Sequence, residues 1–145
     1  MRNKLLPMLL LLALAAPAAE AAPPALSLSG GWIRLLPGAL PAAGYFTLKN
    51  SGTAKVALTG ADTPACGMLM LHKSSDTGGM SSMQDVEKVD VPGGATVAFT
   101  PGGYHLMCMN PTDAIKPGGS VMVTLHFAGG SSASAAFAVK NARGQ

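Results

Sequence analysis

Gly, Pro, Asn and Ser interrupt this chain at intervals too short for helices, and the stretches between them alternate apolar and polar residues with a period of two. Val121, Val123, Leu125 and Phe127 alternating with Met122, Thr124 and His126 is the clearest example. That pattern gives each segment one buried and one wetter face, as a half-buried strand requires. Nine strands are predicted, over residues 26–36, 43–50, 55–61, 67–73, 84–91, 95–100, 104–109, 120–127 and 132–139. Turns at Asn50-Ser51-Gly52, Pro92-Gly93-Gly94 and Pro117-Gly118-Gly119 separate some of them. Short strands with frequent turns predict an all-β, Greek-key β-sandwich or barrel.

The N-terminus has a different character. Arg2 and Lys4 precede an apolar run from Leu5 to Ala16, followed by small residues, the composition of an export signal. The run falls short of the roughly 20 residues that cross a hydrocarbon core. Cleavage is expected after Ala21 in Ala19-Glu20-Ala21, leaving residues 22–145 as one exported domain without a membrane span. About 120 residues suffice for one core. Without Arg2, Lys4 and Glu20, eight basic residues face six acidic ones, in no run or stripe. That distribution lacks the basic footprint of a nucleic-acid-binding surface. Asp62, Asp76, Asp85, Glu87, Asp90 and Asp113 fall mostly in turns or beside Lys, and no nucleophile, base and orienting acid are set out for catalysis, so no enzyme is expected.

The chemistry lies in histidine and methionine. His105 and Met107 are two apart in a predicted strand, so they share a face and lie roughly 6.5 to 7 Å apart along the backbone. Met68, Met70 and His72 repeat that alternation on another strand, and Met83 follows a Gly/Ser-rich segment, residues 74–82, that reads as a flexible loop closing over a site. Thioethers are poor ligands for most biological cations but suit copper(I), whereas zinc takes thiolate, imidazole and carboxylate. His72, Met83, His105 and Met107 are therefore the candidate metal ligands. Methionine also fills gaps in cores, and that is the reading for Met68, Met70, Met109 and Met122. His126 reads as a surface histidine, and Trp32 and Tyr45 as core or edge packing.

The spacing His72-x10-Met83-x21-His105-x-Met107, with GWIRLLPG, AAGYFTLKNSG, PGGYHLMCM and VMVTLHF along the chain, resembles the periplasmic copper chaperone family PCu(A)C. The resemblance implies a cupredoxin-like β-sandwich in which those four residues bind one copper(I). It also implies a periplasmic protein that hands copper to a copper-accepting protein, such as a cytochrome c oxidase subunit or another assembly factor; a monomer is expected. Two departures bear on the site. Met80 stands two serines before Met83 as a substitute ligand, and the C-terminus, AVKNARGQ, lacks the His- and Met-rich tail of some members.

Cys66 and Cys108 remain. In an exported protein a disulfide is the default. Parity speaks against it unless the strand bulges or ends near Cys66, since Cys66 shares a face with His72 while Cys108 points away from His105. The alternatives are a blue-copper electron-transfer protein with Cys108 as thiolate ligand, and a metal-free exported interaction domain.

Overall fold

The structure, a computed structural model, describes residues 25–145; the export signal read over residues 1–21 and the cleavage point after it lie outside the described residues. The described chain is all-β. Its strands are β1 (Leu26–Arg34), β2 (Ala42–Asn50), β3 (Val56–Asp62), β4 (Cys66–Thr77), β5 (Met80–Asp85), β6 (Val89–Val91), β7 (Thr96–Phe99), β8 (Tyr104–Pro111), β9 (Ser120–Phe127) and β10 (Ser132–Lys140). They are ordered β5-β4-β8-β2-β1-β10-β9-β3-β6, with β7 on β2, and β1 and β10 run parallel.

The sheet curls around one apolar core supplied by every strand except β5. Phe46 stacks on Phe99 with ring centroids 4.2 Å apart and meets Phe137 at 5.8 Å. In β9, Val121, Val123, Leu125 and Phe127 face inward, while Met122 and His126 are exposed. In β1, Gly30 adopts φ 63° within a bulge between Ser29 and Trp32, and a Cβ on Gly31 would sit 2.5 Å from the Phe137 ring. Only glycine fits at Gly31, and the bulge sets the facing of Trp32 and Arg34.

The structure differs from the sequence expectation around β5. Residues 74–82 form no loop: β4 continues to Thr77, turns through Gly78 and Gly79, and pairs back with β5 from Thr77–Met80 to His72–Asp85. Both turn glycines have positive φ, 62° and 81°, as a two-residue hairpin demands. The predicted strand 84–91 accordingly divides between β5 and β6, giving ten strands instead of nine. All of β5 is exposed, and among the described residues only its pairing with β4 holds it in the sheet.

Cys66 and Cys108 are joined, with Cα atoms 5.5 Å apart. Asn110, at φ 50°, interrupts the extended course of β8 two residues beyond Cys108. Beside it, Gly67 admits the Asn110 side chain, whose Cβ would lie 3.1 Å from a Cβ on Gly67. Regular alternation therefore stops at this end of the ladder, and the parity objection does not apply.

Among the described residues no helix is long and apolar enough to cross a membrane.

Candidate metal centre

β4 and β8 pair in a register that sets like residues opposite one another: His72 against His105, Met70 against Met107 and Met68 against Met109. Directly opposed residues in an antiparallel pair point to the same side. The alternate positions, Leu71 against Leu106 and Leu69 against Cys108, face the core. Imidazoles and thioethers thus occupy the outer face, with β5 beside them bringing Asp85 opposite His72 and Met83 opposite Ser74.

The two imidazoles lie edge to face, with centroids 5.6 Å apart and planes at 73°. Both histidines are buried. His105 Nδ1 hydrogen-bonds the Gly103 carbonyl at 3.1 Å, which leaves Nε2 as the nitrogen with a free lone pair. His72 is less well served. Asp85 Oδ1 stands 2.8 Å from its Nε2, but at an angle that makes no hydrogen bond, and both His72 ring nitrogens are buried without a partner. A buried imidazole with orphaned nitrogens carries a desolvation cost that a bound ligand would offset.

His105, Met107 and Met83 line one cavity of about 370 Å³, together with Arg34, Tyr45 and the exposed Leu40. His72 is outside that lining and reaches the site through its contact with His105. Met83 stands on the exposed edge strand, half open to solvent, and Met80 is more exposed and lines no part of the cavity. Among the described residues no three of His, Cys, Asp and Glu converge, and the candidate donors read from the sequence are two imidazoles and two thioethers. That donor set fits a soft monovalent ion better than zinc.

Several readings of individual residues are corrected by the structure. None of Met68, Met70, Met109 and Met122 belongs to the core; Met68 and Met122 are 57% and 54% exposed. Core positions on these strands go to Leu and Val, and the methionines take the outer face. Tyr45 is buried as expected and also lines the cavity, its ring 6.5 Å from that of His105; Trp32, half-buried and 4.7 Å from the Tyr45 ring, is not part of the lining. The Arg34 guanidinium lies 5.5 Å from the Trp32 ring and 5.4 Å from the Tyr45 ring. Nothing in the sequence singled out Arg34, whose role depends on pairing across three strands. His126 is exposed, as expected, and contacts Asp62 on the far side of the sheet order.

Burial holds the His105 imidazole below its ordinary value near 6.5, with the Gly103 hydrogen bond opposing the shift and nearby His72 adding to it. Because the unfolded chain takes up this proton at higher pH than the folded one, the associated stability is fully present above the unfolded value and is lost as pH falls toward the folded value. The metal-free protein should therefore lose thermal stability on acidification below about pH 6.5. Melting curves across that range should show a shallower decline for His105→Ala.

Comparison with known proteins places this geometry in a family. The model described as "Putative lipoprotein LpqE-like" matches residues 26–139. The "Putative lipoprotein Lxx21020" of Leifsonia xyli subsp. xyli (strain CTCB07) is 31% identical over 117 residues, covering 80% of this chain and 70% of that protein. Of solved structures, the copper-bound PCuAC domain from PmoF2 superposes with a TM-score of 0.68 at 20% identity, covering 86% of this chain and 99% of that one. The copper(I) form of DR1885 from Deinococcus radiodurans does so with a TM-score of 0.65 at 30% identity, covering 84% and 81%. The matching family model thus carries the LpqE-like name where the sequence motifs suggested PCu(A)C, and PCuAC domains share the cupredoxin-like β-sandwich. The chain belongs to the LpqE-like lipoprotein family.

Proposed function

We propose that this protein is an exported copper(I) carrier that binds one ion through His72, His105, Met83 and Met107 and releases it to a copper-accepting protein. The observation that carries this reading is the buried His72–His105 cross-strand pair beside two thioethers, with both His72 nitrogens making no hydrogen bond and His105 Nε2 left free by the Nδ1 bond to Gly103. The likeness to the copper(I) form of DR1885 supports it. Thioethers bind without proton competition and, outside the cytoplasm, do not form disulfides as thiols do. Met83, on the least buried strand, is the ligand that leaves first, which opens the ion to stepwise exchange with an acceptor.

The setting is the periplasm or an equivalent exported compartment, consistent with the lipoprotein family and the N-terminal signal. Within these 145 residues both cysteines are joined to each other, so neither is free to carry a lipid. The same bond removes the thiolate that a blue-copper site would need, and Cys108 lies opposite Leu69 on the core side. Assembly of cytochrome c oxidase is the delivery role this reading favours, with the protein acting as a monomer and without catalysis of its own.

The test is copper(I) titration against a competing chelator, with X-ray absorption at the copper edge. The first equivalent should bind tightly, with both nitrogen and sulfur in the shell, and Met83→Ala/Met107→Ala should weaken it and deplete the sulfur. Absence of binding, or a first-equivalent shell unchanged by losing both methionines, would overturn the assignment.

A further inference from the structure

The four proposed ligands leave three thioethers of the same outer face without a role. Met68 stands opposite Met109, and Met70, two residues along from Met68, stands opposite Met107. None is core, and Met68 is 57% exposed, so gap-filling does not explain them. Cross-strand neighbours have Cβ atoms roughly 5 Å apart, and same-face neighbours along a strand roughly 7 Å. Methionine spans such gaps through three flexible torsions. The disulfide acts on this end of the ladder: Cys66 lies two residues before Met68 and Cys108 immediately before Met109, so the strands that carry them are tied together beside the thioethers.

We propose that Met68, Met70 and Met109 form a second soft-metal site for copper(I) or silver(I), adjoining the first through the Met70–Met107 pair. It rests on the register of β4 and β8; only copper(I) as the natural cargo is taken from the carrier reading. Three neutral sulfurs without an imidazole make it the weaker and more open of the two. An ion entering or leaving the His72–His105 site therefore has an adjoining stop on the open sheet face, where an acceptor can reach it.

Silver(I) titration of the protein, followed through the methionine methyl resonances, tests this without redox chemistry. The first equivalent should shift Met83 and Met107, and the second Met68, Met70 and Met109, with the exposed, isolated Met80 and Met122 still. Met68→Leu/Met109→Leu should weaken the second equivalent at least 10-fold and leave the first intact. His72→Ala/His105→Ala should retain binding at the three methionines. The second site is overturned if those three methyls stay still through two equivalents, move together with the first, or move no more than Met80 and Met122. Movement of the three with Met83 and Met107 silent would leave the second site standing and sink the carrier site instead.

Discussion

Replacing His72 and His105 together by alanine should weaken binding of the first copper(I) by well over 100-fold while the β-sandwich stays folded. Removing a partner that only orients a metal ligand costs roughly 10- to 100-fold in affinity. Losing two direct nitrogen donors exceeds that, because only two thioethers would remain. The fold should survive because the core behind the histidines is made by Leu71 and Leu106, which point the other way. The double replacement forfeits one hydrogen bond, from His105 Nδ1 to the Gly103 carbonyl, and the His72 contact with the exposed Asp85. Competition titration gives the affinity, and circular dichroism with a melting curve shows whether the sandwich persists. A metal-free interaction domain would show no change in metal behaviour, and an unaltered titration would decide for it.

Opening the Cys66–Cys108 bond should be the most damaging single covalent change. It closes a segment of 42 residues, for which the chain-entropy model gives about 4 kcal/mol. For a domain of this size that corresponds to a fall in Tm of about 10 to 20 °C. Cys66→Ala/Cys108→Ala should show the loss in a thermal scan, and reduction of the native protein should reproduce it without the small cavity left at Cys108, which is 1% exposed. The effect should reach the metal as well. The bond ties together the strands that present His72, Met70, His105 and Met107. Copper(I) affinity should drop in parallel with stability. A Tm within a degree or two of the native value would show that hydrogen bonding alone holds the register.

The strands were legible because alternation and turn residues are local properties. β9 coincides with its expected span, and the displaced boundaries are mostly shifts of one or two residues at strand ends, where pairing and not composition decides the limit. The β4–β5 hairpin escaped for a different reason. Apart from Met80 and Met83, residues 74–85 are polar or glycine, so no apolar alternation marks them, and only Gly78-Gly79 signalled the turn. Misplacing the methionines came from treating each as an independent apolar side chain, although a strand with Leu on its inner face has no further room in the core.

Residue types and their spacing along each strand were enough to predict an all-β chain, the same-face placement of His105 with Met107, and a set of candidate donors of soft chemistry. They could not establish which strands adjoin. The direct opposition of His72 to His105, the approach of Tyr45 and Arg34 to the cavity and the feasibility of the disulfide depend on β4, β8, β2 and β1 pairing across long stretches of sequence, and the edge position of Met83 depends on β5 having no neighbour but β4 among the described residues. That pairing is chosen by burial of one shared core, and a one-residue slip would turn every imidazole and thioether to the opposite face. Local sequence therefore carried the chemistry of the candidate donors, whereas which of them adjoin is a property of the folded sheet.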